Sequence, residues 1–246
     1  MNDDQRRTLD FYKQVYGLTD ADLYSAEGLS EAEVILAAVA DYHTPRPHVF
    51  DLDPTSSALL VIDMQVGFVR RRSPQWIPQA ERILPRLDGF AESARRLGMP
   101  VIFTSAVYLD PSPNDGLKMT TAIAEGNLAA GTEGLEIVPE LWREGDILLG
   151  TKHTYDAFWQ TDLDYLLRGL RKDTLVITGT LTNFCCEATA RAGFDRGYHV
   201  LMCSDLCASD NPWAHDATLQ TMRRGFGRVL DSEEILAQWQ PGEVAG

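Results

Sequence analysis

Cys185 sits where a cysteine can become a nucleophile. It follows the apolar run Thr174-Leu-Val-Ile-Thr178 across the turn Gly179-Thr-Leu-Thr-Asn-Phe184, and it opens a helical pattern over 185–196. A helix N-terminus offers unpaired backbone N–H groups and a partial positive charge, which favour a thiolate placed there. The same N–H groups can meet the oxyanion formed when sulfur attacks a carbonyl, so the segment predicts covalent catalysis. The adjacent Cys186 competes for the role. Successive helix residues point about 100° apart, so only one of the two faces the site, and spacing does not say which.

Two complementary side chains also follow apolar runs. Asp63 comes after Leu59-Leu-Val-Ile62, and Lys152 comes after Ile147-Leu-Leu-Gly-Thr151. Ligands of an open parallel sheet sit beyond the carboxyl ends of its strands. A carboxylate, a cation and a thiol therefore emerge on one sheet edge. Taken singly, each has a plainer reading: a turn aspartate, a surface lysine, a buried small hydrophobe. Their joint position is what favours chemistry. Asp205 follows another run but reads as a turn or structural carboxylate, and Cys203 and Cys207 read as core or loop residues.

The elements that must position these residues begin at about residue 57. Short β-branched runs occur at 57–62, 101–105, 147–149, 174–178, 200–203 and 227–230, interleaved with helical patterns at 79–97, 161–171, 185–196, 213–224 and 232–239. The runs are almost wholly apolar, as strands covered on both faces are. The alternation predicts an α/β fold with a doubly wound, mostly parallel six-stranded sheet flanked by helices. Residues 1–54 read as a helical N-terminal extension and linker, with short helices at 8–16 and 30–42 and prolines through 44–54, ahead of a domain over 55–246. The stretch 108–134 is rich in Gly, Pro, Asn and Thr and has the length of a binding loop or lid.

Composition narrows the function. The chain of 246 residues carries a formal charge of −14, which argues against a nucleic-acid surface, and Arg70-Arg71-Arg72 is too short to reverse that. No run of about 18 apolar residues exists for a membrane span, and no apolar signal core follows the N-terminus. The four cysteines suit reduced thiols in a cytoplasmic protein. Five scattered histidines give no His-x-His or His-x-x-x-His, so a catalytic metal centre is not expected. Phe68, Trp76, Tyr108, Tyr155, Phe158 and Trp159 lie near strand ends as candidates for a pocket wall. Gln65, His153 and Asn183 are candidate polar contacts there, and the Arg70–Arg72 run is a candidate for a substrate carboxylate or a solvated surface run.

Three motifs then share a family likeness. Leu59-Leu-Val-Ile-Asp63-Met-Gln-Val-Gly-Phe68 resembles the first-strand motif of isochorismatase-like cysteine hydrolases. Ile147-Leu-Leu-Gly-Thr-Lys152-His-Thr-Tyr-Asp-Ala-Phe158 resembles their lysine motif, and Thr178-Gly-Thr-Leu-Thr-Asn-Phe-Cys185-Cys-Glu-Ala-Thr-Ala-Arg191 their nucleophile motif. The likeness spans about 57–239 and leaves the N-terminal part outside. Val66 stands where the family usually has Asn, a departure at the pocket mouth.

The resemblance implies a triad of Asp63, Lys152 and Cys185, with Cys185 rather than Cys186 attacking. It also implies a cis peptide at Thr180–Leu181 that brings the Leu181 and Cys185 N–H groups together as an oxyanion hole. It implies cofactor-independent hydrolysis of a small-molecule amide or ureido (N-carbamoyl) C–N bond through a thioester, in a homodimer or homotetramer. An isochorismate-type vinyl ether or ester hydrolase, a non-enzymatic binding protein on the same fold, and a thiol-redox role for Cys185-Cys186 are the alternatives.

Overall fold

The computed structural model describes residues 50–108 and 127–239. The helices expected at 8–16 and 30–42, most of the linker, and 109–126 of the expected loop lie outside the described residues. Within them, six strands form one sheet: β1 (Ser57–Ile62), β2 (Val101–Ala106), β3 (Ile147–Lys152), β4 (Thr174–Thr180), β5 (His199–Ala208) and β6 (Arg228–Leu230). They lie in the order β3-β2-β1-β4-β5-β6, and every neighbouring pair is parallel. The chain builds outward from β1 to β3, then returns to place β4 on the other side of β1. That reversal opens a crevice between the carboxyl ends of β1 and β4, where doubly wound sheets bind ligands.

Helices cover both faces. They are α1 (Val66–Val69), α2 (Pro78–Arg96), α3 (Leu163–Gly169), α4 (Glu187–Asp195), α5 (Pro212–Gly225) and α6 (Ser232–Trp239). Strand β1 shows why its sequence has no polar face. Leu59 and Val61 pack with Leu87, Phe90 and Ala94 of α2 and with Ile235 and Trp239 of α6. Ala58, Leu60 and Ile62 point the other way, to Leu163 and Leu167 of α3, Ala190 of α4 and Met222 of α5. Both faces are dry, so the alternation of side chains on the strand finds apolar partners on either side. Among the described residues, no helix is long and apolar enough to cross a membrane.

Strands β3, β4 and β5 run further than their apolar runs. β5 continues through Ser204 and Asp205 because it bulges: the pairing jumps from Ile177 opposite Met202 to Gly179 opposite Cys207. Asp205 therefore lies within this strand rather than in a turn after it. Its carboxylate accepts the Ser232 N–H and hydroxyl at 2.7 Å each and pairs with Arg86 at 3.0 Å, tying β5 to α6 and α2. β3 also extends, through Lys152, with an extra residue against β2: Thr104 faces Leu149, but Ala106 faces Lys152. Such a bulge re-aims the side chain that follows it.

Candidate active site

Three strand ends build the site. Asp63 leaves β1, and Cys185 lies five residues past the end of β4, the strand directly beside β1. Lys152 ends β3, on the far side of β2, and its long side chain crosses that gap. Close passage of β4 over β1 depends on Gly179, which has φ of +106°; a Cβ there would meet the Ile62 carbonyl oxygen at 2.1 Å. Asp63 itself has φ of +46°, a left-handed conformation in which Asp is one of the more tolerant residues.

The side chains converge in a dry spot. Lys152 Nζ donates to Asp63 Oδ2 at 2.6 Å and to Cys185 Sγ at 3.4 Å. Asp63 and Lys152 are fully buried, and Cys185 is 3% exposed. Burial acts to depress the Lys152 ammonium, but the Asp63 carboxylate and Cys185 outweigh it and hold the group above the usual lysine range. For Cys185, burial pushes the thiol up, Lys152 pulls it down and Asp63 pushes it up again, leaving it raised to about 12.

Burial therefore works against the thiolate that a helix start and Lys152 favour. Cys185 lies in the first turn of one continuous helical segment, a π-type turn over Thr182–Cys186 that runs on into α4 at Glu187. Desolvation by the surrounding core then dominates.

Geometry also separates the two adjacent cysteines. Cys185 carries the contact with Lys152, whereas Cys186 turns its sulfur to the Thr178 carbonyl at 3.8 Å inside the core. The peptide bond Thr180–Leu181 is cis. The π-turn closes back on this point, with the Phe184 and Cys186 N–H groups both donating to the Leu181 carbonyl at 3.1 Å.

The other candidates divide into those near the triad and those in the scaffold. Tyr108 and Tyr155 are part-buried beside it; burial, then the charge at Cys185, raises both phenols above their usual range. Asn183 accepts from Ser209 at 2.7 Å, and the His153 ring meets the Val107 carbonyl at 3.0 Å, so both are tied to neighbouring strand ends. Gln65 is buried and fully engaged. Its amide donates to Ser105, Ala106 and Leu135 and accepts the Ala106 N–H, fastening the β1 end to β2. Phe68 and Phe158 are core residues at 4% and 5% exposure, one on each side of the sheet. Trp76 lies under Arg71 and bonds Glu81, and Trp159 is exposed.

Arg70 is held by Glu140, with both carboxylate oxygens within 2.8 Å. Arg70, Arg71 and Arg72 line a cleft of about 900 Å³ whose lining includes none of Asp63, Lys152 and Cys185. Among the described residues, no group of three or more His, Cys, Asp or Glu is placed to hold a metal ion.

Two residues escaped the sequence reading. Phe184 is 42% exposed and packs on Tyr155 with ring centroids 5.3 Å apart, so it belongs with the aromatic residues beside the site. Its place one residue before Cys185 is the signal the sequence offers. Thr104 of β2 is buried against Asp63; it accepts the Asp63 N–H at 3.0 Å and donates to Oδ1 at 2.5 Å. A threonine in a strand is ordinary, so only its break in an apolar run marked it.

Known proteins share this arrangement of elements. The family model described as the isochorismatase domain matches residues 57–234. Nicotinamidase 3 of Arabidopsis thaliana is 32% identical over 188 residues, covering 74% of this chain and 89% of its own length. The ureidoacrylate amidohydrolase of Methylobacterium radiotolerans is 32% identical over 208 residues, covering 76% of this chain and 80% of its own. A cysteine hydrolase from Pseudomonas syringae pv. phaseolicola has a solved structure that superposes with a TM-score of 0.67 at 26% identity, covering 77% of this chain and 95% of that one. The chain belongs to the isochorismatase family. It is a hydrolase, and the two sequence relatives named are amidohydrolases.

Proposed function

We propose that this protein hydrolyses the C–N bond of a small-molecule amide or ureido compound through a thioester on Cys185. One observation carries the reading: a fully buried ammonium lies 2.6 Å from a carboxylate and 3.4 Å from a thiol. The three side chains divide the labour. Lys152, held between Asp63 and Cys185, acts through its charge. The proton of the Cys185 thiol passes to Asp63 as the sulfur attacks the carbonyl.

Lys152 then steadies both the developing thiolate character and the carboxylate before transfer. The N–H groups of Leu181 and Cys185 meet the oxyanion, and Asp63 returns the proton to the departing nitrogen. Ammonia or an amine leaves, and water activated by Asp63 releases the acid and restores the thiol. Tyr108, Tyr155 and Phe184 supply an aromatic surface beside the sulfur, suited to a small planar amide. The nicotinamidase and ureidoacrylate amidohydrolase relatives point to amide and ureido carbonyls rather than to ethers.

The test is a screen for ammonia or amine release over small amides, N-carbamoyl acids and ureido acids, together with alkylation by iodoacetamide. The proposal expects turnover of at least one such compound, and slower alkylation of Cys185 in its presence. Turnover of vinyl ethers or esters alone, with no C–N substrate, would overturn it.

A further inference from the structure

Asp63 must present its carboxylate to the sulfur at a fixed angle, yet it stands alone at the end of β1 in a left-handed conformation. Lys152 holds only one of its oxygens, Oδ2. The other, Oδ1, is held by Thr104, which is completely buried on the neighbouring strand β2. The two hydrogen bonds between Thr104 and Asp63 depend on each other. A hydroxyl has one proton. Because the Asp63 N–H points into Thr104 Oγ1, that proton is turned away from the backbone and toward Oδ1.

One side chain therefore reads both the backbone and the carboxylate of Asp63, and fixes the torsions between them. With Oδ1 on Thr104 and Oδ2 on Lys152, the carboxylate plane is set at both ends. Each oxygen still has accepting capacity for the Cys185 proton.

We infer that Thr104 is a positioning residue for this reaction, aligning the Asp63 carboxylate with the Cys185 thiol through Asp63 itself. The inference rests on the proposed cysteine mechanism and adds to it the residue that aims its base. A hydroxyl is required, whereas side-chain volume is not. Valine has the same branching and suits a strand, so it removes the hydroxyl while keeping the shape.

The experiment compares Thr104→Val and Thr104→Ser on the best substrate of the wild-type enzyme, alongside crystal structures of both variants. Thr104→Val is expected to lower kcat by about 10- to 100-fold with KM changed by no more than about twofold, the pattern of a misaligned group that binds no substrate. Thr104→Ser restores most of kcat. In the valine crystal, the Asp63 carboxylate is expected to rotate away from its place between Lys152 and Cys185.

A valine variant with wild-type kcat, or an unrotated Asp63 in its crystal, would overturn the inference. So would a loss of kcat that serine fails to restore. Should no C–N substrate be found, the functional proposal fails separately, and the position of Asp63 in the valine crystal still decides the role of Thr104.

Discussion

Lys152 carries a charge with none of its surface in water, and the Asp63 carboxylate beside it is equally buried. Removing one partner strands the other in a dry interior. Lys152→Met is therefore expected to destabilise the fold by about 3–5 kcal/mol, read from urea unfolding, and to lower turnover by at least about 100-fold. A variant as stable as wild type would show that the pair is not desolvated as described. The adjacent cysteines give a sharper contrast. Cys186 points to the Thr178 carbonyl and not to Lys152. Cys186→Ala should keep turnover within about threefold while costing about 1 kcal/mol from a small cavity. Loss of activity in that variant would mean the wrong sulfur has been assigned.

At the scale of elements, the site depends on where strands stop and how closely they pass. β4 clears the end of β1 only because Gly179 has no Cβ. Gly179→Ala should destabilise by about 2 kcal/mol or more, since the obstructing atom is the Ile62 backbone and φ is positive. Equal melting temperatures for the two proteins would refute this. Helix α6 is anchored twice at its start. Asp231 and Glu234 form a reciprocal capping box, and Asp205 takes the Ser232 N–H and hydroxyl. Burial acts to raise the Asp205 carboxyl, but these bonds and the Cys203 thiol hold it below the usual carboxylate range. Near pH 4 the folded chain thus binds fewer protons here than the unfolded chain does. Its contribution is present above the unfolded value of about 4 and is lost as pH falls through the folded one. Asp205→Asn should show a smaller drop in urea midpoint between pH 6 and pH 3.5 than wild type; an unchanged drop would contradict the assignment.

Across the whole molecule, the sequence reveals what depends on apolar runs and conceals what depends on partners far along the chain. Strands β1 and β2 and helix α6 are bounded by clear changes of residue type, so their positions are legible to within a residue. The emergence of Asp63, Lys152 and Cys185 on one sheet edge follows from those runs together with the parallel order. The bulge in β5 is not legible, because Cys203-Ser-Asp-Leu206 reads as a strand that has ended. Nor is the protonation of Cys185. A helix-start cysteine suggests a thiolate, whereas burial, visible only in the packing, pushes the thiol up against the pull of Lys152. Thr104 is hidden for the same reason, since its partner lies 41 residues earlier in the chain. Gln65 and Phe68 belong to a motif that resembles a pocket, yet both secure the scaffold behind the triad.

The proposed mechanism depends on attack by the Cys185 sulfur. It is tested most directly by measuring ammonia or amine release by the wild type and by Cys185→Ala on the same C–N substrate, both checked for folding by circular dichroism. The account predicts turnover in the wild type and none above background in the folded variant. Near-normal rates in Cys185→Ala would contradict it.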